Sequence, residues 1–299
     1  MSLSTTARAD IESRPLTPEE TEQYREEGYV VLRGLLSPEF AAALHTEVMG
    51  IMDLIGLGVT KLKQTHEYLA GGNIDRLVNS SEMLALAEAL MEGPSTLYLP
   101  FTAVKSAGGG GEFHFHQDNQ YTRFDAPGIN LWTALSPMTE ENGCLKVVPR
   151  SHLNGTLPAH SPENDGHKAV TFEPEEFVSV LMEPGDCVAF SRLTVHGSGP
   201  NTSGEHRVAY AVQYHRNDVN YSTDGGETWK RALDHPRFAC GPVAAITTSH
   251  LSSRASSSED SSQESASSHS ASGTRSGFTE PGVLSMSRTS WPFSISSRA

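Results

Sequence analysis

The sequence predicts a mainly β protein behind an N-terminal layer of helices, and three observations carry that prediction. Up to Gly93 the apolar residues recur at helical spacing, and beyond it they alternate. After the switch, short runs rich in β-branched and aromatic residues follow at 95–105, 112–118, 129–136, 144–149, 177–182, 187–191 and 207–215. Gly, Pro and Asn separate them, as in the glycines 108–111, Glu141-Asn142-Gly143 and Glu183-Pro184-Gly185-Asp186. Many short strands so spaced close into a β-sandwich or barrel, of which the two-sheet jelly roll is one solution.

Thr17 caps a first helix, Pro18 suits its first turn, Glu20 completes a capping box and Gly28 ends it. Tyr29 to Leu36 reads as a strand. A second helix starts at Ser37-Pro38, with Phe40, Leu44, Val48, Ile51 and Met52 at helical spacing. A third runs from Ser81 to Met91 and stops at Gly93. The β runs follow, to about residue 216.

Beyond residue 250 the composition changes. Residues 251–299 hold 19 serines and four arginines against four acidic residues, so the net charge of −14 falls on residues 1–250. Such a segment cannot bury enough apolar surface to offset its ordering entropy, and 251–299 is expected to be a disordered Ser-rich tail. Residues 1–15 are polar and expected to be disordered too, leaving 16–250 as one domain. The acidity argues against a nucleic-acid partner, since phosphate neutralisation needs clustered Lys and Arg. No apolar run reaches the roughly 18 residues of a membrane span, and no secretory leader is evident. Cys144, Cys187 and Cys240 are odd in number and far apart, which fits reduced thiols and a cytoplasmic location. Oligomeric state leaves no mark in the sequence.

The chemistry concentrates in Glu112-Phe-His-Phe-His-Gln-Asp118, where His114, His116 and Asp118 alternate and so share one face of a strand. Two imidazoles and a carboxylate converging in this way are a candidate metal site. His196 follows 78 residues after Asp118, and Arg207 lies eleven further on, opening the run 207–215. An H-x-D pair, a distant His and a strand Arg match the 2-His-1-carboxylate arrangement of non-haem Fe(II) oxygenases, which leaves three positions open on one face of the iron. A 2-oxo acid chelates iron through its carboxylate and keto oxygen, leaving one position for O2. Its far carboxylate calls for a buried planar cation, which arginine supplies, and Ser198 can add a hydroxyl.

These residues, in this order, resemble the phytanoyl-CoA dioxygenase family of Fe(II)- and 2-oxoglutarate-dependent oxygenases. The matching pieces are His116-Gln-Asp118, Leu131-Trp132-Thr-Ala134, Glu141-Asn-Gly-Cys-Leu145, Val148-Pro-Arg-Ser-His152 and His196-Gly-Ser198 with Arg207. Leu16-Thr-Pro-Glu and Gly28-Tyr-Val-Val-Leu32 resemble the family's start, so the likeness spans about residues 16–216. It implies a double-stranded β-helix (a cupin-like jelly roll) with iron on His116, Asp118 and His196. It also implies 2-oxoglutarate on Arg207 and Ser198 with Trp132 lining the pocket, and hydroxylation of a small-molecule substrate with release of succinate and CO2.

Alternatives stay open at this stage. His114 can replace His116 as ligand, or lie behind it. His152 reads as a structural hydrogen-bonder, and His160, His167 and His215 as surface residues. Asp118 favours hydroxylation over halogenation, which needs that carboxylate replaced. A cupin that binds metal without a 2-oxo acid fits Gly108 to His116, but it lacks the expected Glu and leaves Arg207 without a role. An inactive, degenerate member acting as an interaction module is a further alternative, against which the intact ligands argue. Asn119, Gln120, Tyr121 and Arg123 follow the ligands directly and are expected to contact substrate. Lys61, Lys63 and Lys105 are scattered, with no dense basic patch for a CoA phosphate.

Overall fold

The computed structural model describes residues 9–55, 62–63, 65, 68–162 and 167–234. The expected 251–299 tail and the end of the 16–250 domain lie outside these residues. At the other end, order begins earlier than position 16. Ile11 is buried and bridges Leu36, Glu12 N–H donates to the Leu35 carbonyl and Ser37 N–H to that of Asp10. One apolar side chain and two backbone hydrogen bonds hold a segment whose composition is polar.

Helix α1 (Pro18–Glu27) has the reciprocal cap that its sequence encodes. Glu20 N–H donates to Thr17 Oγ1 at 3.2 Å, and Thr17 N–H to the Glu20 carboxylate at 2.9 Å. Gly28 closes it at φ 80°, a left-handed value that glycine adopts without a steric cost. Helices α2 (Pro38–Ile55), α3 (Asn73–Val78) and α4 (Ser81–Met91) complete the layer. The sequence reading missed α3, whose start is held from a distance: Asn73 N–H donates to the Glu47 carboxylate on α2, as does Ile74 N–H. The left-handed residue ending α4 is Glu92, at φ 55°, one position before the expected Gly93.

The strands are β1 (Tyr29–Leu32), β2 (Leu62–Lys63), β3 (Ser95–Lys105), β4 (Phe113–His116), β5 (Gly128–Ala134), β6 (Leu145–Val147), β7 (Val178–Val180), β8 (Cys187–Ser191), β9 (His196–Ser198) and β10 (Arg207–Arg216). They form a six-stranded sheet ordered β1-β8-β5-β10-β3-β2 and a four-stranded sheet ordered β7-β6-β9-β4, with antiparallel neighbours throughout. This is the expected jelly roll. Short pairings at 123–124, 220–222 and 230–231, and at 159–160 with 169–170, add two small sheets.

The large sheet is covered on both faces, and alternation decides which residue meets which cover. On β10, Val208, Tyr210, Val212 and Tyr214 pack with Ile129 and Leu131 of β5 against Leu44, Val48 and Met52 of α2. The other register of β10 carries Ala209 and Ala211, which join Trp132, Val188, Phe190, Leu145 and Val147 inside the barrel. Arg207, Gln213 and His215 share that inner register and are all buried. His215, expected at the surface, is 3% exposed and packs edge-on against Tyr98 and Phe124. Among the described residues no helix is long and apolar enough to cross a membrane.

Candidate metal centre and anion pocket

β4 and β9 are neighbours in the small sheet, and their register sets His116 directly opposite His196. Asp118 follows at the start of a single 3₁₀ turn, Asp118–Gln120. One carboxylate oxygen, Oδ1, therefore lies 3.9 Å from His116 Nε2 and 3.7 Å from His196 Nε2. One ligand atom from each residue falls within a 4.8 Å cluster, the only such metal-capable group among the described residues. His114 stands outside it, its carbonyl taken by His116 Nδ1 at 2.8 Å. His196 Nδ1 likewise meets the Thr194 carbonyl at 2.9 Å. With Nδ1 engaged on the backbone, each ring presents the Nε2 lone pair to the centre, which is the tautomer a metal requires. Burial, then the neighbouring His196, pushes the His116 imidazole down to about 3, so that ring stays neutral.

The second carboxylate oxygen of Asp118 is backed from the large sheet. Gln213 Nε2 donates to Oδ2 at 2.9 Å and Asn130 Nδ2 at 3.3 Å. Aromatic rings close round the histidines: Phe113 and Tyr121 stand edge-on to His116, and Phe190 lies 4.5 Å from His196, centroid to centroid.

Further along the barrel axis, Arg207 and Lys105 are register partners on β10 and β3. Arg207 is 2% exposed, with its guanidinium 5.1 Å from the Trp132 ring centre. Its two Nη atoms donate to the carbonyls of Gly143 (3.0 Å) and Ala103 (3.2 Å), while the buried Nε–H has no partner. Lys105 is wholly buried, and its Nζ donates to the carbonyls of Ser198 and Gly199. Burial, then the Arg207 charge, lowers the Lys105 amine to about 6, and burial lowers Arg207 to about 10. Two basic groups side by side in a dry interior are costly unless an anion joins them. Ser198, 8% exposed, and Trp132, 4% exposed, adjoin the same pair, through the Ser198 carbonyl and the Trp132 ring.

The four residues expected to touch substrate have different surroundings. Tyr121 stands over the ligand, 5.7 Å from the His116 ring, and its hydroxyl accepts from Lys168 N–H at 3.0 Å. The Asn119 amide bonds Phe124 and Thr156, and the Gln120 amide bonds the carbonyls of Leu157 and Pro158. Arg123 donates to the Gly225 carbonyl at the surface. His152 bonds the Arg25 carbonyl, as a structural histidine would, and His160 and His167 are exposed. The sequence reading missed Gln213, and it left Lys105 among scattered lysines. Both lie in the inner register of a strand, after Leu99, Phe101 and Ala103 in one case and after Ala209 and Ala211 in the other. A polar residue following two or three apolar inner positions was the available signal.

Residues 24–209 match the family model described as phytanoyl-CoA dioxygenase (PhyH). The chain belongs to the phytanoyl-CoA dioxygenase family. Among relatives of this family, the multifunctional dioxygenase prhA of Penicillium brasilianum is 28% identical over 218 residues, covering 66% of this chain and 71% of that protein. The human peroxisomal phytanoyl-CoA dioxygenase is 24% identical over 243 residues, 71% of this chain and 72% of that one. A solved structure of EvdO2 from Micromonospora carbonacea var. aurantiaca, complexed with 2-oxoglutarate, shares the fold with a TM-score of 0.59 at 21% identity, covering 76% of this chain and 98% of that one.

The donor set fits the cofactors of a phytanoyl-CoA dioxygenase. Two imidazoles and one carboxylate oxygen are a facial set for Fe(II), and the unpartnered Arg207 Nε–H beside Lys105 suits the far carboxylate of a dicarboxylic 2-oxo acid. A metal-binding cupin without that co-substrate would leave two buried basic groups unexplained. The chain is thus a non-haem Fe(II)- and 2-oxoglutarate-dependent oxygenase.

Proposed function

We propose that this oxygenase hydroxylates a small polar organic molecule. His116, Asp118 and His196 would hold the iron, and Arg207, Lys105, Ser198 and Trp132 the 2-oxoglutarate. When bound, iron and 2-oxoglutarate supply dioxygen activation, with the 2-oxo acid ending as succinate and CO2. The protein contributes the setting for that chemistry. Arg207 and Lys105 neutralise and orient one carboxylate at a fixed distance from the histidines, and Trp132 keeps water from the guanidinium face. Phe113, Tyr121 and Phe190 wall the ligand rings with apolar edges. Asp118, held on its outer oxygen, presents a single oxygen inward and so leaves the open coordination positions that co-substrate and O2 require.

The observation that carries the reading is the buried Arg207–Lys105 pair next to a His-Asp-His cluster, which together match a chelating dicarboxylate. Substrate contact is assigned to Tyr121, with Asn119, Gln120 and Arg123 shaping the loops around it. The acidic sequence holds no dense Lys/Arg cluster for a CoA phosphate, which supports a small substrate and no nucleic-acid partner. The buried, free thiols of Cys144 and Cys187 support a reducing, cytoplasmic setting. The test is turnover: purified protein with Fe(II), O2 and 2-oxoglutarate should release succinate slowly even without substrate. Metabolite extracts that accelerate it would then identify the substrate. No iron-dependent succinate under any extract would refute the reading.

A further inference from the structure

Gln213 carries an amide into a stretch of the barrel interior where its register neighbours are Ala209 and Ala211. Burying an amide there is unfavourable unless both ends are bonded, and both are. Its Nε2 donates to Asp118 Oδ2 at 2.9 Å, and its Oε1 accepts from Arg192 Nη1 at 3.2 Å. Arg192 is itself fixed, 3% exposed, with Nη2 donating to the carbonyls of Asp118 (3.1 Å) and Thr122 (3.0 Å). Its guanidinium also lies over the rings of Phe124 at 4.3 Å and Tyr98 at 5.1 Å.

We infer that Gln213 is the positioning residue of the Asp118 ligand, and that Arg192 decides which end of its amide faces the carboxylate. The inference rests on the metal reading of His116, Asp118 and His196. A glutamine amide can turn over, exchanging oxygen and nitrogen. Here the turned form would set Oε1 against the carboxylate and the NH2 against a guanidinium, two like-with-like contacts. Arg192 therefore selects the donor orientation, and the same guanidinium holds the backbone carbonyl of the ligand residue. With Gln213 and Asn130 both donating to Oδ2, Oδ1 is the oxygen left for the metal, so Asp118 binds through one atom.

The test is Co(II) titration of purified protein without 2-oxoglutarate, followed by the visible absorption of the bound ion. Gln213→Met matches the side-chain length but has no donor, and Gln213→Asn keeps the amide one methylene short of reach. Both should bind Co(II) about ten- to a hundredfold more weakly, the usual effect of removing an outer partner of a metal ligand. Both should show a changed absorption band and still unfold cooperatively without metal. Arg192→Lys, which loses the fork, should shift the band in the same direction. Should Gln213→Met fail to fold, Gln213→Asn carries the test alone. Co(II) affinity within twofold of wild type, with an unchanged band, would overturn the positioning role. Wild-type protein that took up no Co(II) would instead overturn the metal centre itself.

Discussion

Replacing Lys105 by Met should make the protein more stable and a poorer enzyme. The side chain is wholly buried, and its amine falls from 10.5 to about 6 through burial and the Arg207 charge. At pH 7 the unfolded chain keeps the proton that the folded chain has largely lost. The 3.5 units between 10.5 and pH 7 correspond to about 5 kcal/mol against folding. Met fills a similar volume without that cost, but it leaves the Ser198 and Gly199 carbonyls without their donor, which costs about 1–3 kcal/mol. The net gain is about 2–4 kcal/mol, or about 4–16 °C in Tm for a domain of this size. The sign also fixes the pH dependence. Between pH 6 and 10.5 the unfolded state binds more protons, so this group makes wild-type stability rise with pH. The Met variant should lack that contribution. Thermal unfolding of metal-free protein at pH 7 and pH 9 measures both effects. The same variant should raise the KM for 2-oxoglutarate about tenfold or more, since one of two basic partners is gone. A variant that is destabilised at pH 7 refutes the burial argument. One that is stabilised with an unchanged KM shows that Lys105 has no part in holding the co-substrate.

Other consequences can be checked separately. His116→Ala, Asp118→Ala or His196→Ala should each abolish stoichiometric Co(II) uptake and succinate release, because three protein ligands hold the ion while leaving positions open. Arg207→Lys keeps a charge but loses the planar fork, and should raise the KM for 2-oxoglutarate about ten- to a hundredfold, the effect of losing about 1.5–3 kcal/mol. Metal binding should be unchanged, so metal content and steady-state kinetics together decide it. Gly143 sits at φ 75°, and a Cβ there would fall 2.4 Å from the Gly199 carbonyl oxygen. Gly143→Ala should cost at least about 2 kcal/mol in denaturant unfolding and weaken 2-oxoglutarate as well, since the Gly143 carbonyl receives Arg207.

Where the sequence was legible, the signal was local. The Thr17–Glu20 cap, the apolar stripe of α2 and the seven β runs depend on neighbours a few positions away, and each appears at its expected place. The cluster of His116, Asp118 and His196 was legible because an H-x-D pair followed by a distant His is a recognisable set, and the resemblance spanning residues 16–216 favoured His116 over His114. What escaped depends on partners distant in sequence. Helix α3 begins on a carboxylate 26 positions earlier in α2. His215 reads as polar yet is buried, because Tyr98 and Phe124 from two other parts of the chain cover it. Lys105 is buried beside a cross-strand neighbour, Arg207, and under the carbonyls of Ser198 and Gly199, all distant from it in sequence. Residues 119, 120 and 123 were expected at the substrate from adjacency alone, and their side chains bond residues 124, 156–158 and 225.

The Nδ1 tethers of His116 and His196 also bear on how the ion arrives. Both rings hang from paired strands and are steered by carbonyls two residues back in the chain, that of His114 within β4 and that of Thr194 just before β9, so their aim is settled before any ion is present. Uptake then requires no segment to fold and little apolar surface to leave water, and the heat capacity of binding should be close to zero. A centre prepared in this way can lose its ion and regain it without passing through a disordered state, and its occupancy follows the free-metal concentration of its surroundings.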